Sequence, residues 1–382
     1  LAAARVGITL DPVPGCTWLL LVQEGLAGPG CVGLSVGDHH GLLVDRNGRV
    51  RSWGNDDYED SGCLGHGLTG DVVAVPQIIA SLTQSVACVS AGACHSLAVT
   101  TSGDLFSWGA GNNGRLGLGT TSDVYVPQRV AIDGFVTCAC AGMLHTAVIT
   151  GKGSLWMCGK NYDGRLGLGD TVNHSVLMAV PSIKKAVVLA AGLYCTVVID
   201  ADGAVWISGK LRGFQGGPSS TTFTRVQFPD TAGLPVGVSC AYQHAVVWTA
   251  EGSLFTWGMG YDGQLGHGSN ESSDVPRQVQ ALEEVPIASA AAGIECTLAL
   301  DRNGNLWSWG KGLALGHGGN AQSQQLLPKV IEGLPQGATI RRVAAHGTVV
   351  CEYDNGGAWS WGSAFGFAGG GSSAPSEIRA AP

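Results

Sequence analysis

The sequence predicts an all-β fold, a seven-bladed β-propeller built from four-stranded antiparallel blades. Two observations lead to this prediction: one repeat of about fifty residues recurs seven times, and glycine is abundant without any loss of apolar residues. The chain of 382 residues contains 60 glycines, yet 45% of its residues are hydrophobic. A disordered glycine-rich chain would lack that apolar content, so glycine here serves tight turns inside a packed protein.

A tripeptide ending in glycine marks each repeat, and its middle residue is usually tryptophan. Successive middle positions lie 55, 50, 50, 49, 52 and 52 residues apart. The seven middle residues are Trp53, Trp108, Cys158, Ser208, Trp257, Trp309 and Trp361. A β-solenoid would need coils of roughly twenty to thirty residues, so this period favours a propeller.

Each copy contains four strand-like segments in one order. The second strand begins thirteen residues before the tripeptide's middle residue. Turn pairs such as Asn47-Gly48 and Asp202-Gly203 supply positive φ angles for a two-residue hairpin turn to the tryptophan strand. A glycine-rich loop then leads to a fourth strand, with a proline expected at its start in several copies, because proline removes a ladder donor. These prolines are Pro76, Pro127, Pro276 and Pro328.

A single sheet of this kind cannot bury both of its faces, whereas seven sheets around an axis bury one another. Large apolar side chains are available for this purpose on the third strands: Trp53, Trp108, Trp156, Trp206, Trp257, Trp307, Trp309, Trp359 and Trp361. Residues 31–382 are therefore expected to form the propeller, and residues 1–30 an N-terminal extension.

The second copy reads Gly92-Ala93-Cys94-His95-Ser96, then Phe106-Ser107-Trp108-Gly109, and ends its loop at Gly119. This pattern resembles the regulator of chromosome condensation repeat family. The resemblance implies the propeller, and in that family a strand from one terminus often pairs with the other to close the ring. Residues 5–10 and 18–22 are alternative candidates for such a strand. The family includes an exchange factor for the small GTPase Ran, ubiquitin-ligase modules, a plant photoreceptor, ciliary scaffolds and mitochondrial assembly factors, so function is not fixed by the fold.

Charge and composition narrow the classes of function. Charged residues make up 13% of the chain, the net charge is −8, and lysine and arginine form no run, which disfavours direct nucleic-acid binding. The longest apolar stretch, residues 18–22, is too short to span a bilayer. Most cysteines lie in apolar strand segments, where they are expected to stay reduced, as in an intracellular compartment. The sequence does not distinguish cytosol, nucleus and organelle matrix.

The side chains that could suggest catalysis or metal binding are better explained by structural roles. His40, His95, His145 and His244 share one repeat position, and sister copies place Cys195, Cys296 and Thr348 there, so a core histidine is expected. The spacing of His39, His40, Cys63 and His66 matches no compact zinc site. No nucleophile elbow or His-Glu-x-x-His motif occurs. We therefore predict no enzyme, no cofactor and no metal site.

A protein-interaction scaffold or assembly subunit that binds other proteins, within a larger complex, is the predicted function. The candidate contact residues occupy loops where the copies differ, and tyrosine and arginine are common in binding hot spots. They are Asn112, Asn113, Tyr162, Asp163, Arg165, Tyr261 and Asp262, with an acidic loop of Asp56, Asp57, Tyr58, Glu59 and Asp60.

The alternative is a guanine nucleotide exchange factor for a small GTPase, although the repeat spacing leaves little room for an inserted wedge. A photoreceptor role is disfavoured because the residue after the glycine position, which holds alanine in copies five and seven, is never tryptophan. That position holds Asp38, Ala93, Met143, Leu193, Tyr242, Ile294 and His346.

Overall fold

The computed structural model confirms the predicted fold. It describes residues 33–56, 61–67, 72–211, 220–229, 232–335, 339–354, 357–362 and 372–378. These residues form seven four-stranded antiparallel sheets, each built from four consecutive strands. The extension over residues 1–30, with both candidate closing strands, lies outside the described residues, and its boundary stays a prediction.

Strand bounds follow the repeat from blade to blade. Blade 1 contains β1 (Leu34–Val36), β2 (His40–Val44), β3 (Val50–Asn55) and β4 (Val72–Ile78). Blade 2 contains β5 (Val86–Ala91), β6 (His95–Thr100), β7 (Leu105–Gly109) and β8 (Val124–Arg129). Blade 3 contains β9 (Val136–Ala141), β10 (His145–Thr150), β11 (Leu155–Gly159) and β12 (His174–Ala179). Blade 4 contains β13 (Ala186–Ala191), β14 (Cys195–Asp200), β15 (Val205–Gly209) and β16 (Ser220–Arg225).

The last three blades repeat the order. Blade 5 contains β17 (Pro235–Cys240), β18 (His244–Thr249), β19 (Leu254–Gly258) and β20 (Ser273–Gln278). Blade 6 contains β21 (Ile287–Ala292), β22 (Cys296–Asp301), β23 (Leu306–Lys311) and β24 (Gln324–Val330). Blade 7 contains β25 (Ile340–Ala345), β26 (Thr348–Tyr353), β27 (Ala358–Gly362) and β28 (Ser372–Ile378). The described helices are three short 3₁₀ turns, and none is long and apolar enough to cross a membrane.

The predicted hairpins are present, but their turns are longer than two residues. In blade 1 the strands end at Val44 and resume at Val50. Gly48 has φ 74°, whereas Asn47 has no positive φ, so the glycine alone takes the left-handed conformation. The Asp45 carboxylate accepts hydrogen bonds from the backbone N–H groups of Asn47 and Arg49, at 2.9 and 3.1 Å. This side-chain bonding replaces the expected two-residue turn.

The expectation that proline begins the fourth strands is wrong. Pro127 is the fourth residue of β8, and Pro276 is the fourth residue of β20. Both strands lie on the outer edge of their blades, and the pairing register shifts beside each proline, between Ser107 and Gly109 and between Thr256 and Gly258. An edge strand at such a bulge needs no N–H donor, so proline is tolerated inside it.

Tryptophan side chains connect neighbouring blades. The indole Nε1–H of Trp108 donates to the Cys63 carbonyl of blade 1 at 2.9 Å. Trp309 and Trp361 repeat this bond to the carbonyls of Gln264 and Ala314, also at 2.9 Å. All three indoles are buried. These three strands therefore dock on the glycine-rich loop of the preceding blade, with large apolar area removed from water.

The repeat histidine forms a second connection between blades, here called the histidine latch. His244 Nε2 lies 2.9 Å from Thr297 Oγ1 in the next blade, and Thr297 Oγ1 donates to the Gln264 carbonyl at 2.7 Å. The same arrangement joins blades 1 and 2, 2 and 3, and 3 and 4, through these pairs: His40 with Ser96, His95 with Thr146, and His145 with Thr196. The prediction of core histidines is confirmed.

The glycine three residues before the histidine has a steric cause. A Cβ on Gly92 would lie 2.7 Å from His95 Nδ1, and a Cβ on Gly142 would lie 2.8 Å from His145 Nδ1. Both distances are below van der Waals contact. In these two blades the missing Cβ lets the chain pass the buried imidazole, whereas blade 5 carries Ala241 three residues before His244.

The ring closes by packing between blades 7 and 1. Strand β1 lies against β25 and β26. Leu34 and Val36 share a buried cluster with Val350 of blade 7. Closure among the described residues therefore uses the same side-by-side burial as the other blade boundaries.

Replacing Thr297 with valine should lower the free energy of unfolding by about 1–3 kcal/mol, because the buried His244 Nε2 loses its partner. Denaturant unfolding measures this change. Thr121→Val, at an exposed position, is the control and should stay within about 0.5 kcal/mol. Equal stability of the two variants would contradict the latch.

Acidification should destabilise the protein through the buried histidines. Burial lowers the pKa of His244 to about 4 and that of His40 to about 3. The unfolded chain, whose histidines titrate near 6.5, then binds more protons between pH 6.5 and 4, so stability falls as pH falls. From pH 7 to 5 the loss should be about 2 kcal/mol for each such histidine.

Unfolding of His244→Gln at both pH values measures this effect. The glutamine variant should lose about 2 kcal/mol less than the parent over that interval. A pH dependence identical to that of the parent chain would show that folding leaves the pKa of His244 unchanged.

Candidate protein-interaction face

One end of the propeller, here called the upper face, carries the candidate contact residues. In each blade the antiparallel order brings the turn between the first and second strands to the same end as the end of the third strand. The upper face is therefore built from these turns and from the loops that follow the tryptophan strands. The opposite end, the lower face, carries the hairpin turns and the connections between blades.

Tyr162 in blade 3 is the most exposed large apolar side chain of the described residues, with 66% of its surface accessible. The ammonium of Lys160 lies 5.3 Å from the centre of its ring. A cation over the ring face restrains an exposed tyrosine. Tyr162 therefore presents a partly ordered aromatic surface to the solvent.

Tyr261 in blade 5 occupies the matching loop and is 57% exposed. Its neighbour Asp262 is half-buried and accepts an ion pair from Lys311 Nζ of blade 6 at 3.3 Å. Blade 4 separates Tyr261 from Tyr162 around the ring. The two tyrosines thus belong to one face but to separate blades.

Asn112 and Asn113 lie on the blade 2 loop of the upper face. Asn112 is exposed, and Asn113 is half-buried with φ 63° in the left-handed region. The Asn113 side-chain oxygen accepts a hydrogen bond from Asn173 Nδ2 of blade 3 at 3.2 Å. Asn113 therefore joins two loops, whereas the Asn112 residue is exposed at the surface.

The expectation that Arg165 lies on the exposed surface is wrong. Its side chain is fully buried, donates to the Leu193 carbonyl of blade 4, and pairs with Asp163 at 2.6 Å. The guanidinium also lies 5.3 Å from the ring centre of Tyr194. The Arg165 side chain turns inward because its loop lies against the next blade. Arg165 holds blades 3 and 4 together. Asp163 is partly exposed, and its carboxylate is paired with Arg165.

The prediction for the acidic loop is also wrong at its first residue, Asp56. Asp56 is buried, and its carboxylate accepts a hydrogen bond from the Cys63 backbone N–H at 2.8 Å and one from Ser61 Oγ at 3.4 Å. Burial raises the pKa of Asp56 despite these bonds. Asp56 therefore folds the loop rather than facing a partner. Asp57, Tyr58, Glu59 and Asp60 lie outside the described residues.

Asp38, Tyr242 and His346 form a polar group at the upper end of the central channel, the space between the first strands of the blades. The sequence did not predict this group as a site. His346 Nδ1 lies 2.9 Å from Asp38 Oδ1, and the Tyr242 hydroxyl donates to Asp38 Oδ2 at 3.4 Å. Burial raises the pKa of Asp38, but His346, His39 and the Tyr242 hydroxyl together outweigh it, so the net shift is downward. Burial and the Asp38 charge raise the pKa of Tyr242.

These three residues share one repeat position, two residues before the position of the latch histidine. The residue at that position varies from copy to copy. This variation is the sequence signal that could have found them. It shows that the position is free to differ, but only the closed ring brings blades 1, 5 and 7 together at one opening.

Metal-ligating side chains do not converge in the described part of the chain, where no group of three or more His, Cys, Asp or Glu residues could hold an ion. His66 Nε2 instead lies 2.9 Å from Ser52 Oγ within blade 1. His40 is committed to the histidine latch.

The fold is a repeat propeller whose upper-face loops differ from blade to blade. Residues 19–293 match the family model described as the RCC1-like domain. The chain belongs to the RCC1-like domain family, the regulator of chromosome condensation family that its repeats resemble.

Curated relatives show the same repeats in larger proteins. The chain is 29% identical to the human E3 ubiquitin-protein ligase HERC2 over 85% of this chain and 5% of that protein. It is 30% identical to the ultraviolet-B receptor UVR8 of Arabidopsis thaliana over 79% of this chain and 58% of that protein. It is 32% identical to the mitochondrial RCC1 domain-containing protein RUG3 of Arabidopsis thaliana over 87% and 65%. The chain thus spans less than two thirds of each relative.

Solved structures agree in fold. Human WBSCR16 superposes with a TM-score of 0.71 at 23% identity, over 82% of this chain and 84% of that one. Prp20p from Saccharomyces cerevisiae gives a TM-score of 0.71 at 19% identity, over 83% and 80%.

Arg165→Met should lower the free energy of unfolding by about 2 kcal/mol, because the Leu193 carbonyl and Asp163 lose their donor while the aliphatic stem is kept. Tyr162→Ala, three residues away and exposed, should change it by less than about 0.5 kcal/mol. Thermal or denaturant unfolding compares the two. An Arg165 variant as stable as the parent would return Arg165 to the exposed candidates.

Proposed function

We propose that this chain is a non-catalytic protein-interaction scaffold, or a subunit of a larger assembly, that binds its partner on the upper face. The observation that carries the proposal is the pair of exposed tyrosines, Tyr162 and Tyr261, on loops fixed to rigid blades. Tyrosine offers a large contact area at a small cost in conformational entropy. Loops held by bonds between blades keep that area ordered before binding.

Charge supports a partner with a basic contact surface. The chain carries a net charge of −8, and Asp38, Asp163 and Asp262 lie at or near the upper face. Complementary charge mainly increases the association rate and sets orientation. Lys160 lies over the Tyr162 ring and Lys311 pairs with Asp262, so both lysines have partners within the chain.

The alternative proposal is nucleotide exchange on a small GTPase. Prp20p, which shares this fold, binds Gsp1p and histones, and the polar group of Asp38, Tyr242 and His346 supplies the contacts that an exchange factor needs on one face. The relative RUG3 is mitochondrial, and that location is compatible with the intracellular scaffold role proposed for this chain. An intracellular location for this chain stays a prediction.

The double variant Tyr162→Ala, Tyr261→Ala should weaken partner capture at least tenfold, because exposed aromatic anchors commonly contribute about 2 kcal/mol or more to binding. Affinity purification of the tagged chain, followed by quantitative mass spectrometry, measures the proteins recovered at fixed stoichiometry. Phe135→Ala is the control: Phe135 is 43% exposed but lies on the lower face, between β8 and β9.

Unchanged capture by the double variant would overturn the assignment of the upper face. The exchange alternative is tested separately with Ran carrying a fluorescent nucleotide. A scaffold should leave the release rate unchanged, whereas accelerated release together with a stable nucleotide-free complex would establish exchange activity.

A further inference from the structure

Two cysteines meet at the boundary between blades 4 and 5. Cys195 begins β14 and Cys240 ends β17, and their sulfur atoms lie 3.2 Å apart. Cys195 is fully buried, and Cys240 is half-buried. Both are free thiols. The contact joins neighbouring sheets rather than two parts of one sheet.

The pair occupies a boundary that lacks the histidine latch. Cys195 takes the repeat position of the latch histidine, and the hydroxyl position of the next blade holds Ala245. The hydrogen bond that joins four other boundaries therefore cannot form here. The sulfur contact stands in its place, supplied by Cys240 from the neighbouring first strand.

Blade 6 provides an internal comparison. Cys296 takes the same repeat position as Cys195, but the residue of the next blade that corresponds to Cys240 is Ala344. A cysteine at the histidine position is thus present twice, and only the boundary between blades 4 and 5 adds a second thiol at the corresponding place.

Small molecules can reach the pair through the centre of the ring. Cys240 lines a central cavity of about 120 Å³, whose walls include Ala191, Gly192 and Cys140. Hydrogen peroxide is close to water in size and fits such a space. Cys240 is therefore the thiol that an oxidant meets first, with Cys195 behind it.

We propose that Cys195 and Cys240 form a disulfide between blades 4 and 5 on exposure to a two-electron oxidant such as hydrogen peroxide. The Cys240 thiolate attacks one peroxide oxygen, the O–O bond breaks, and the products are a sulfenic acid and water. The Cys195 sulfur then displaces hydroxide from that sulfenic acid. Two thiol hydrogens and one peroxide leave as two waters.

The geometry requires a small movement. A disulfide places its sulfurs about 2.05 Å apart, so the two side chains must approach by roughly 1.2 Å. The hydrogen bond between Cys240 and Cys195, together with burial, raises the pKa of Cys240, so thiolate is scarce at neutral pH. We expect slow oxidation that needs excess peroxide, since the thiolate is the reacting form.

The bridge would act on the upper face. Leu193 N–H donates to the Ala241 carbonyl at 3.2 Å, directly between the two cysteines and the channel mouth. Tyr242 follows Ala241 and belongs to the polar group with Asp38 and His346. A covalent link would therefore fix the position of blade 4 relative to blade 5 where this group is formed.

Peptide mapping by mass spectrometry tests the proposal on the full chain. The reduced protein is treated with hydrogen peroxide, alkylated and digested. Peptides containing Cys195 and Cys240 should appear cross-linked, free thiols should fall from twelve to ten, and a thiol reductant should restore them. Cys240→Ala and Cys195→Ala should each abolish the cross-link, whereas Cys296→Ala should keep it.

Several results would overturn the proposal. They are an unchanged thiol count in excess peroxide, a bridge from Cys240 to Cys140, and oxidation of Cys240 to the sulfinic acid without cross-linking. Peptide mapping of the parent chain shows or excludes the cross-link even if a variant fails to fold. Hydrogen exchange supplies a second readout: the bridge should slow exchange in residues 190–196 and 238–244 and leave residues 290–297 unchanged.

Discussion

The contact between each glycine-rich loop and the following blade is the interaction on which this structure depends. A blade has two apolar faces and cannot cover either by itself. Among the described boundaries, a loop carbonyl accepts the tryptophan indole of the next blade in three and a serine or threonine hydroxyl in four; the carbonyls of Cys63 and Gln264 accept both. Because the donors are buried, each blade is complete only when its neighbour is in place.

This dependence explains why variation is confined to certain positions. Residues that hold blades together, such as Trp108 and His95, recur because a buried donor without a partner is costly. Residues just beyond them, such as Asp38 and Tyr242, face the channel mouth and are free to differ. A rigid ring thereby carries a variable surface, which is the arrangement that a binding scaffold requires.

The fold could be predicted from the sequence because the same pattern of strands and turns occurs seven times. The burial of His244 could also be predicted, since sister copies replace histidine with small residues at that position. Both inferences use comparison between copies, which averages out the peculiarities of any one blade.

Details that depend on the path of one loop could not be predicted. Arg165 occurs in the sequence as a charged loop residue, but its side chain lies between two blades and contacts the Leu193 carbonyl. Asp56 likewise turns inward to bind its own loop. Asp38 and Tyr242 are 204 residues apart, and only ring closure makes them neighbours. In each case the deciding contact is made by a residue far along the chain or by backbone that a motif does not specify.

Hydrogen exchange at the tryptophan indoles tests the mutual dependence of the blades most directly. Trp108, Trp309 and Trp361 each donate across a different blade boundary. If the ring unfolds as one unit, NMR should find that these three indole N–H groups exchange slowly and at a common rate, the rate of global unfolding. Separate rates for the three, or exchange as fast as that of an exposed indole, would contradict the account.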